Sequence, residues 1–225
     1  MDKRVKLTEH FTLGEMIRSA SHPEINNMPP LDVIDNLRKV CEWLEELRAA
    51  YNRRYVIRGN ENDSRCEVRG ARYEVCFRGY GGTVVRGCEN SSSAEGDLDS
   101  AIDSADKLSS HLAPRTSNLG SDRTHEQPIL INSGYRCKTL NNAIGGALRS
   151  NHLTGCAVDI NCPGKTANER AKMALRYAML LVEIAEVRKE RFDELIIERR
   201  GTNWWVHFAV RPDANRMWIT VINKT

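Results

Sequence analysis

The stretch Ser150-Asn151-His152-Leu153-Thr154-Gly155-Cys156-Ala157-Val158-Asp159-Ile160 decides how this chain folds. From residue 155 onward it has the composition of a buried strand. With a period of two, Gly155, Ala157 and Asp159 share one face, and Cys156, Val158 and Ile160 point to the other. An ionised carboxylate in an apolar strand is costly unless something pairs with it. The small neighbours of Asp159 leave room for a partner, and His152, in the preceding turn, can swing over that opening. A second imidazole, His207, stands in the apolar run Trp204-Trp205-Val206-His207-Phe208-Ala209-Val210. Two imidazoles and one carboxylate are three ligands of a catalytic zinc site, which keeps its fourth position for water. Taken singly, each residue has a plainer reading. A strand histidine is more often a core residue with its hydrogen bonds met, and Asp159 can cap a helix or accept backbone amides.

Working outward, the segment from Pro128 has an α+β pattern. The apolar run Ile129-Leu130-Ile131 predicts a strand ending at Asn132-Ser133-Gly134-Tyr135-Arg136. A short helix over 140–144 is closed by Gly145-Gly146. A strand over 155–160 and a long helix over 166–188 follow. Strands over 194–198 and 204–210 are joined by the turn-like Arg199-Arg200-Gly201-Thr202-Asn203, and a last strand lies near 217–222. Neighbouring strands of this kind make an antiparallel sheet flanked by helices.

Toward the N-terminus the pattern is helical. Thr12-Leu13-Gly14-Glu15 has capping-box spacing and predicts a helix to about residue 20. Pro29-Pro30 interrupt, and a helix resumes over 31–51, where Val33, Ile34, Leu37, Val40, Cys41, Leu44 and Leu47 recur at three and four. Between the two halves, 52–127 changes character. Tyr55-Val56-Ile57, Tyr73-Glu74-Val75-Cys76-Phe77 and Thr83-Val84-Val85 are β-like runs set off by Arg-Gly and Gly-Gly pairs. Residues 97–112 have helical period, and 113–126 is polar. The organisation expected is a discontinuous domain of 1–51 and 128–225 carrying a small β-rich insertion, 52–127.

With 225 residues, 40% hydrophobic and 28% charged, the chain can bury a core, which excludes wholesale disorder. A net charge of +3 makes no basic stripe, so nucleic acid is not an expected partner. No apolar run reaches the ~18–20 residues of a membrane helix, and Met1-Asp2-Lys3-Arg4-Val5-Lys6 opens without an apolar h-region. The expectation is a chain made in the cytoplasm without a signal peptide. Seven cysteines, none in C-x-x-C, predict free thiols in a reducing compartment rather than a thiolate zinc site; Cys66, Cys76 and Cys88 could cluster, or simply fill core.

The stretch Ser150–Asp159 resembles the S-x-H-x-x-G-x-A-x-D signature of the zinc D-Ala-D-Ala carboxypeptidase family (metallopeptidase family fifteen), which includes phage endolysins and shares its fold with the hedgehog signalling domain. Asn132-Ser133-Gly134-Tyr135-Arg136 with Leu140-Asn141 resembles its N-S-G-Y-R-x-x-x-L-N element, and Trp205-Val206-His207 its closing W-V-H. His10-Phe11-Thr12-Leu13-Gly14-Glu15-Met16 is similar to the F-T-L-x-E-M opening of the phage-type branch. The resemblance implies one zinc ion per chain on His152, Asp159 and His207, with Arg136 stabilising an oxyanion or anchoring substrate. Ser150 and Tyr135 are expected at the substrate, Ser150 also orienting or capping; by alternation Trp205 shares the face of His207 and walls the substrate groove, whereas Trp204 fills core. Many relatives carry Glu-x-x-His at the last ligand, whereas Trp204 stands three before His207 here. Glu198, at the end of the preceding strand, is the candidate general base; Asp193 and Glu194 are its rivals, with solvated linker charges as their plainer reading. The implied activity is hydrolysis of an amide next to a D-amino acid in a peptidoglycan stem peptide, as a carboxypeptidase or an endopeptidase, by a chain that acts on the wall after release or as part of a virion. The alternative is a catalytically weak, zinc-stabilised wall-binding or virion protein.

Overall fold

The computed structural model describes residues 2–56, 67–68, 71–74, 86–87 and 126–224. Its centre is a five-stranded sheet of β4 (Ile131–Ser133), β5 (Ala157–Asn161), β6 (Glu194–Arg200), β7 (Asn203–Ala209) and β8 (Trp218–Lys224). The strand order is β4-β5-β7-β6-β8. The first four pair antiparallel, as expected, and β8 joins the β6 edge in parallel, which makes the sheet mixed.

Alternation along the strands sorts the two faces. Val158 and Ile160 of β5, Val206 and Phe208 of β7 and Leu195 of β6 are buried together in the core. Helices α2 (Leu31–Tyr51) and α4 (Ala167–Arg188) cover that face. Trp43 of α2 meets Phe208 with ring centroids 5.3 Å apart, and Tyr51 meets Tyr177 of α4 at 5.3 Å. The apolar stripe of α2 supplies Val33, Leu37, Val40, Cys41, Leu44 and Leu47 to this core, which is why its period of three and four is visible in the chain.

Helix α1 (Leu13–Met16) starts at the expected capping box, the Thr12 Oγ1 accepting from Glu15 N and Glu15 Oε2 from Thr12 N. It stops at Met16, well short of residue 20. The carbonyl oxygens of Met16 and Ile17 are taken instead by Tyr135 N (2.7 Å) and Asn27 Nδ2 (2.8 Å), so tertiary partners replace helical ones. Helix α3 (Lys138–Ala143) ends before Gly145, which has φ 68°.

Within 52–127, Tyr55-Val56 are not strand; they continue α2 as a single π-helical turn, Asn52–Val56. Short strands β1 (Glu67–Val68), β2 (Ala71–Glu74) and β3 (Arg86–Gly87) form a small antiparallel sheet of order β1-β2-β3. The helix expected over 97–112 and Cys66, Cys76 and Cys88 lie outside the described residues. Cys41, Cys137, Cys156 and Cys162 are free thiols. Among the described residues no helix is long and apolar enough to cross a membrane.

Candidate metal centre

Register places the site. Ser133, Asp159, His207 and Ile196 are consecutive cross-strand partners on β4, β5, β7 and β6. Directly opposed residues leave a sheet on the same side. Asp159 and His207 therefore project from the face opposite the helices. His152 joins them from a 3₁₀ turn, Asn151–Thr154, capped by Ser150, whose Oγ accepts from His152 N at 3.3 Å. Gly155 ends that turn in the left-handed conformation (φ 70°), and a Cβ there would stand 2.6 Å from Val33 Cγ1. Handedness and the close approach of α2 both demand glycine.

Three ligand-type atoms converge. His152 Nε2 lies 3.2 Å from His207 Nδ1 and 3.3 Å from Asp159 Oδ1, and His207 Nδ1 lies 2.9 Å from that oxygen. A tetrahedral zinc ion with bonds of 2.0–2.1 Å separates its ligands by about 3.3 Å. The triangle is close to that size, and it is the one group of its kind among the described residues.

The far side of each ring fixes its tautomer. His152 Nδ1 is 2.6 Å from the Gly134 carbonyl oxygen, which can only accept, so that nitrogen carries the hydrogen. His207 Nε2 is 3.1 Å from Glu194 Oε2, again an acceptor. Both inward nitrogens are thus left with lone pairs, facing each other and a carboxylate. Such a donor set attracts a cation. Without metal a proton takes that role on His207: burial alone would lower its pKa, but hydrogen bonds to Asp159 and Glu194 raise it to about 9. His152, fully enclosed, is instead pushed down by burial. Burial opposes ionisation of Asp159, yet the charge and hydrogen bonding of the two histidines hold it well below the ordinary carboxylate value.

Arg136 borders the triad. Its Nε donates to Ser133 Oγ (2.8 Å), and one terminal nitrogen donates to Asp159 Oδ2 (2.5 Å) while standing 3.1 Å from His152 Nε2. The Gly134 turn that carries it passes so close to α1 that a Cβ on Gly134 would lie 2.3 Å from Met16 O.

Asp193 and Glu194 are not solvated linker. Asp193 is wholly buried, accepting from Asn151 Nδ2 (2.9 Å) and from Arg216 Nε (2.7 Å) and a terminal nitrogen (2.9 Å). Glu194 Oε2 takes both His207 Nε2 and Asn151 Nδ2 (3.1 Å), and its other oxygen pairs with Arg216. Sequence reasoning missed Asn151 and Arg216 altogether. Asn151 adjoins His152, and that adjacency was the available signal; nothing in the chain pointed to Arg216.

Glu198 lies on the same face, opposite Trp205 and two residues along from the Ile196–His207 pair. It is buried, and its partner is Lys224 rather than a member of the triad. Trp205 walls a groove of about 1040 Å³ that also borders Asn132, Arg136, Asp159, Arg200 and Lys224. Tyr135 is not at the groove: its ring is packed in the core, and its backbone holds Met16 and Asn27.

Residues 93–193 match the family model described as Peptidase M15. The match includes His152 and Asp159, stops before His207, and begins inside the 52–127 segment. No curated protein matches the chain. The match, together with an α+β body whose sheet is flanked by helices, supports assignment to metallopeptidase family fifteen, a family of zinc peptidases.

Proposed function

We propose that this chain, assigned to a peptidase family over residues 93–193, is a zinc peptidase of peptidoglycan stem peptides, cutting an amide next to a D-amino acid. The observation that carries the reading is the convergence of two imidazole lone pairs and one carboxylate oxygen, each fixed from behind by Gly134, Glu194 or Arg136. One zinc ion on His152, Asp159 and His207 would acidify water to a pKa near 7 and polarise the scissile carbonyl.

The chain's own groups supply the rest. Arg136, a charge that persists at every working pH, stands where negative charge grows on the carbonyl oxygen. Glu198 takes the proton from the attacking water and returns it to the leaving amine. Its position supports that role: it shares the ligand face of the sheet and is a buried carboxylate two residues along from the Ile196–His207 pair. Trp205 offers a flat wall to the peptide, and Arg136, Arg200 and Lys224 make the groove suit a substrate bearing carboxylates. Action at the cell wall follows from that substrate.

The test is release of free D-alanine from a pentapeptide ending in D-Ala-D-Ala by the zinc-loaded protein, with His152→Ala as control. Internal cleavage of a crosslinked dimer without D-alanine release would make it an endopeptidase. No cleavage of any stem peptide at one bound zinc per chain would overturn the peptidase reading in favour of a binding role.

A further inference from the structure

We propose that Lys224, on the edge strand β8, is a positioning residue for Glu198. The inference rests on the reading of Glu198 as the general base.

In the parallel register Glu198 lies beside Ile222 and Arg200 beside Lys224, so Lys224 sits on the ligand face of the sheet, one diagonal step from Glu198. Its ammonium reaches back to Glu198 Oε2. The same Nζ stands 5.3 Å from the ring centroid of Trp205, the direct cross-strand partner of Glu198. Carboxylate, ammonium and indole thus form one unit built from three adjacent strands, β6, β8 and β7.

The side chain of Glu198 is only 8% exposed, and a carboxylate so enclosed needs an opposite charge beside it. Among the described residues no other cation contacts it. The ammonium contacts Oε2 directly, so Lys224 compensates the buried charge at that oxygen and holds it in place. A charged base held in one place is the condition for proton transfer in a fixed geometry. Lys224 pairs with Glu198 and Trp205 and not with His152, Asp159 or His207, so its removal should act on turnover and not on metal content.

Steady-state kinetics on the zinc-loaded protein, with a stem pentapeptide as substrate, test this. Lys224→Met should lower kcat by about tenfold or more with KM changed by less than about threefold, and Lys224→Arg should recover most of the loss. Zinc stoichiometry should match the parent in both. Lysine acetylation read by mass spectrometry needs no Lys224 variant: Glu198→Gln should expose Lys224 to faster labelling than in the parent. Loss of turnover in Glu198→Gln, with Lys224→Met equal to the parent in kcat or with Lys224 labelling unchanged, overturns the role of Lys224 alone. Full turnover in Glu198→Gln overturns the reading of Glu198 and this inference with it.

Discussion

Glu194 Oε2 lies 3.1 Å from His207 Nε2, and this contact determines which nitrogen of His207 faces the centre. The same oxygen receives Asn151 Nδ2 at 3.1 Å, and Asn151 adjoins His152. One carboxylate therefore ties together, from behind, two ligands that lie 55 residues apart in the chain. Arg216 pairs with that carboxylate and with the buried Asp193 next to it, so one guanidinium is shared between two carboxylates behind the triad.

A carboxylate on the outer nitrogen of a metal-binding histidine raises its basicity and locks its orientation. Glu194→Gln keeps the shape and removes the charge. Zinc affinity, measured by competition with a chromogenic chelator, should fall by about 10–100-fold while the protein stays folded. Parent-like affinity would mean the contact is incidental.

What can be seen in the chain, and what cannot, follows from how local the signals are. The α2 stripe, the period of β5 and the placement of His152 and Asp159 depend on neighbours within a few residues. Sequence alone is enough for those. The early end of α1 depends on Tyr135 and Asn27, partners that no local pattern announces. The parallel docking of β8 has the same character, since a short strand in which Trp218, Ile219, Val221 and Ile222 are the apolar residues fits either direction. Tyr135 is misplaced by sequence for a related reason: the N-S-G-Y-R element carries both a site residue, Arg136, and a core residue beside it, and a turn does not show which side chain points where.

Gly155 turns a packing argument into a measurable cost. Any side chain there meets Val33 Cγ1 at 2.6 Å and must adopt φ 70°. Gly155→Ala should destabilise the fold by about 2 kcal/mol or more in urea unfolding. Because the residue closes the turn bearing His152, zinc affinity should fall with it. A variant as stable as the parent would show that α2 yields easily at Val33.

Asp193 gives the fold an acid limb. Burial alone would raise its pKa, but hydrogen bonds from Arg216 and Asn151 hold it below the ordinary carboxylate value. A folded-state pKa below the unfolded one contributes stability above about pH 4, the unfolded value, and loses it as pH falls through the folded value. Asp193→Asn should cost about 2 kcal/mol at pH 7, and should flatten the loss of stability below about pH 4. Urea midpoints at neutral pH and about one unit below the unfolded value measure both. Parallel pH curves for the two proteins would remove Asp193 from the account.

Asn52 and Gln127 exchange hydrogen bonds, Gln127 N to Asn52 Oδ1 at 2.7 Å and Asn52 Nδ2 to Gln127 O at 3.2 Å, and Arg48 pairs with Glu126 beside them. The chain thus leaves α2 and returns at nearly the same point, as an insertion would. The family match nevertheless begins at residue 93, which would give part of that excursion to the peptidase body. Replacing 57–125 with a short Gly/Ser linker decides between the two. If 52–127 is a surface excursion, closing a shorter loop leaves the body as stable or stabler by up to about 2 kcal/mol, with one zinc still bound per chain. A deletion protein that folds by circular dichroism yet fails to hold zinc would place residues from the matched part of 57–125 in the body that supports the triad.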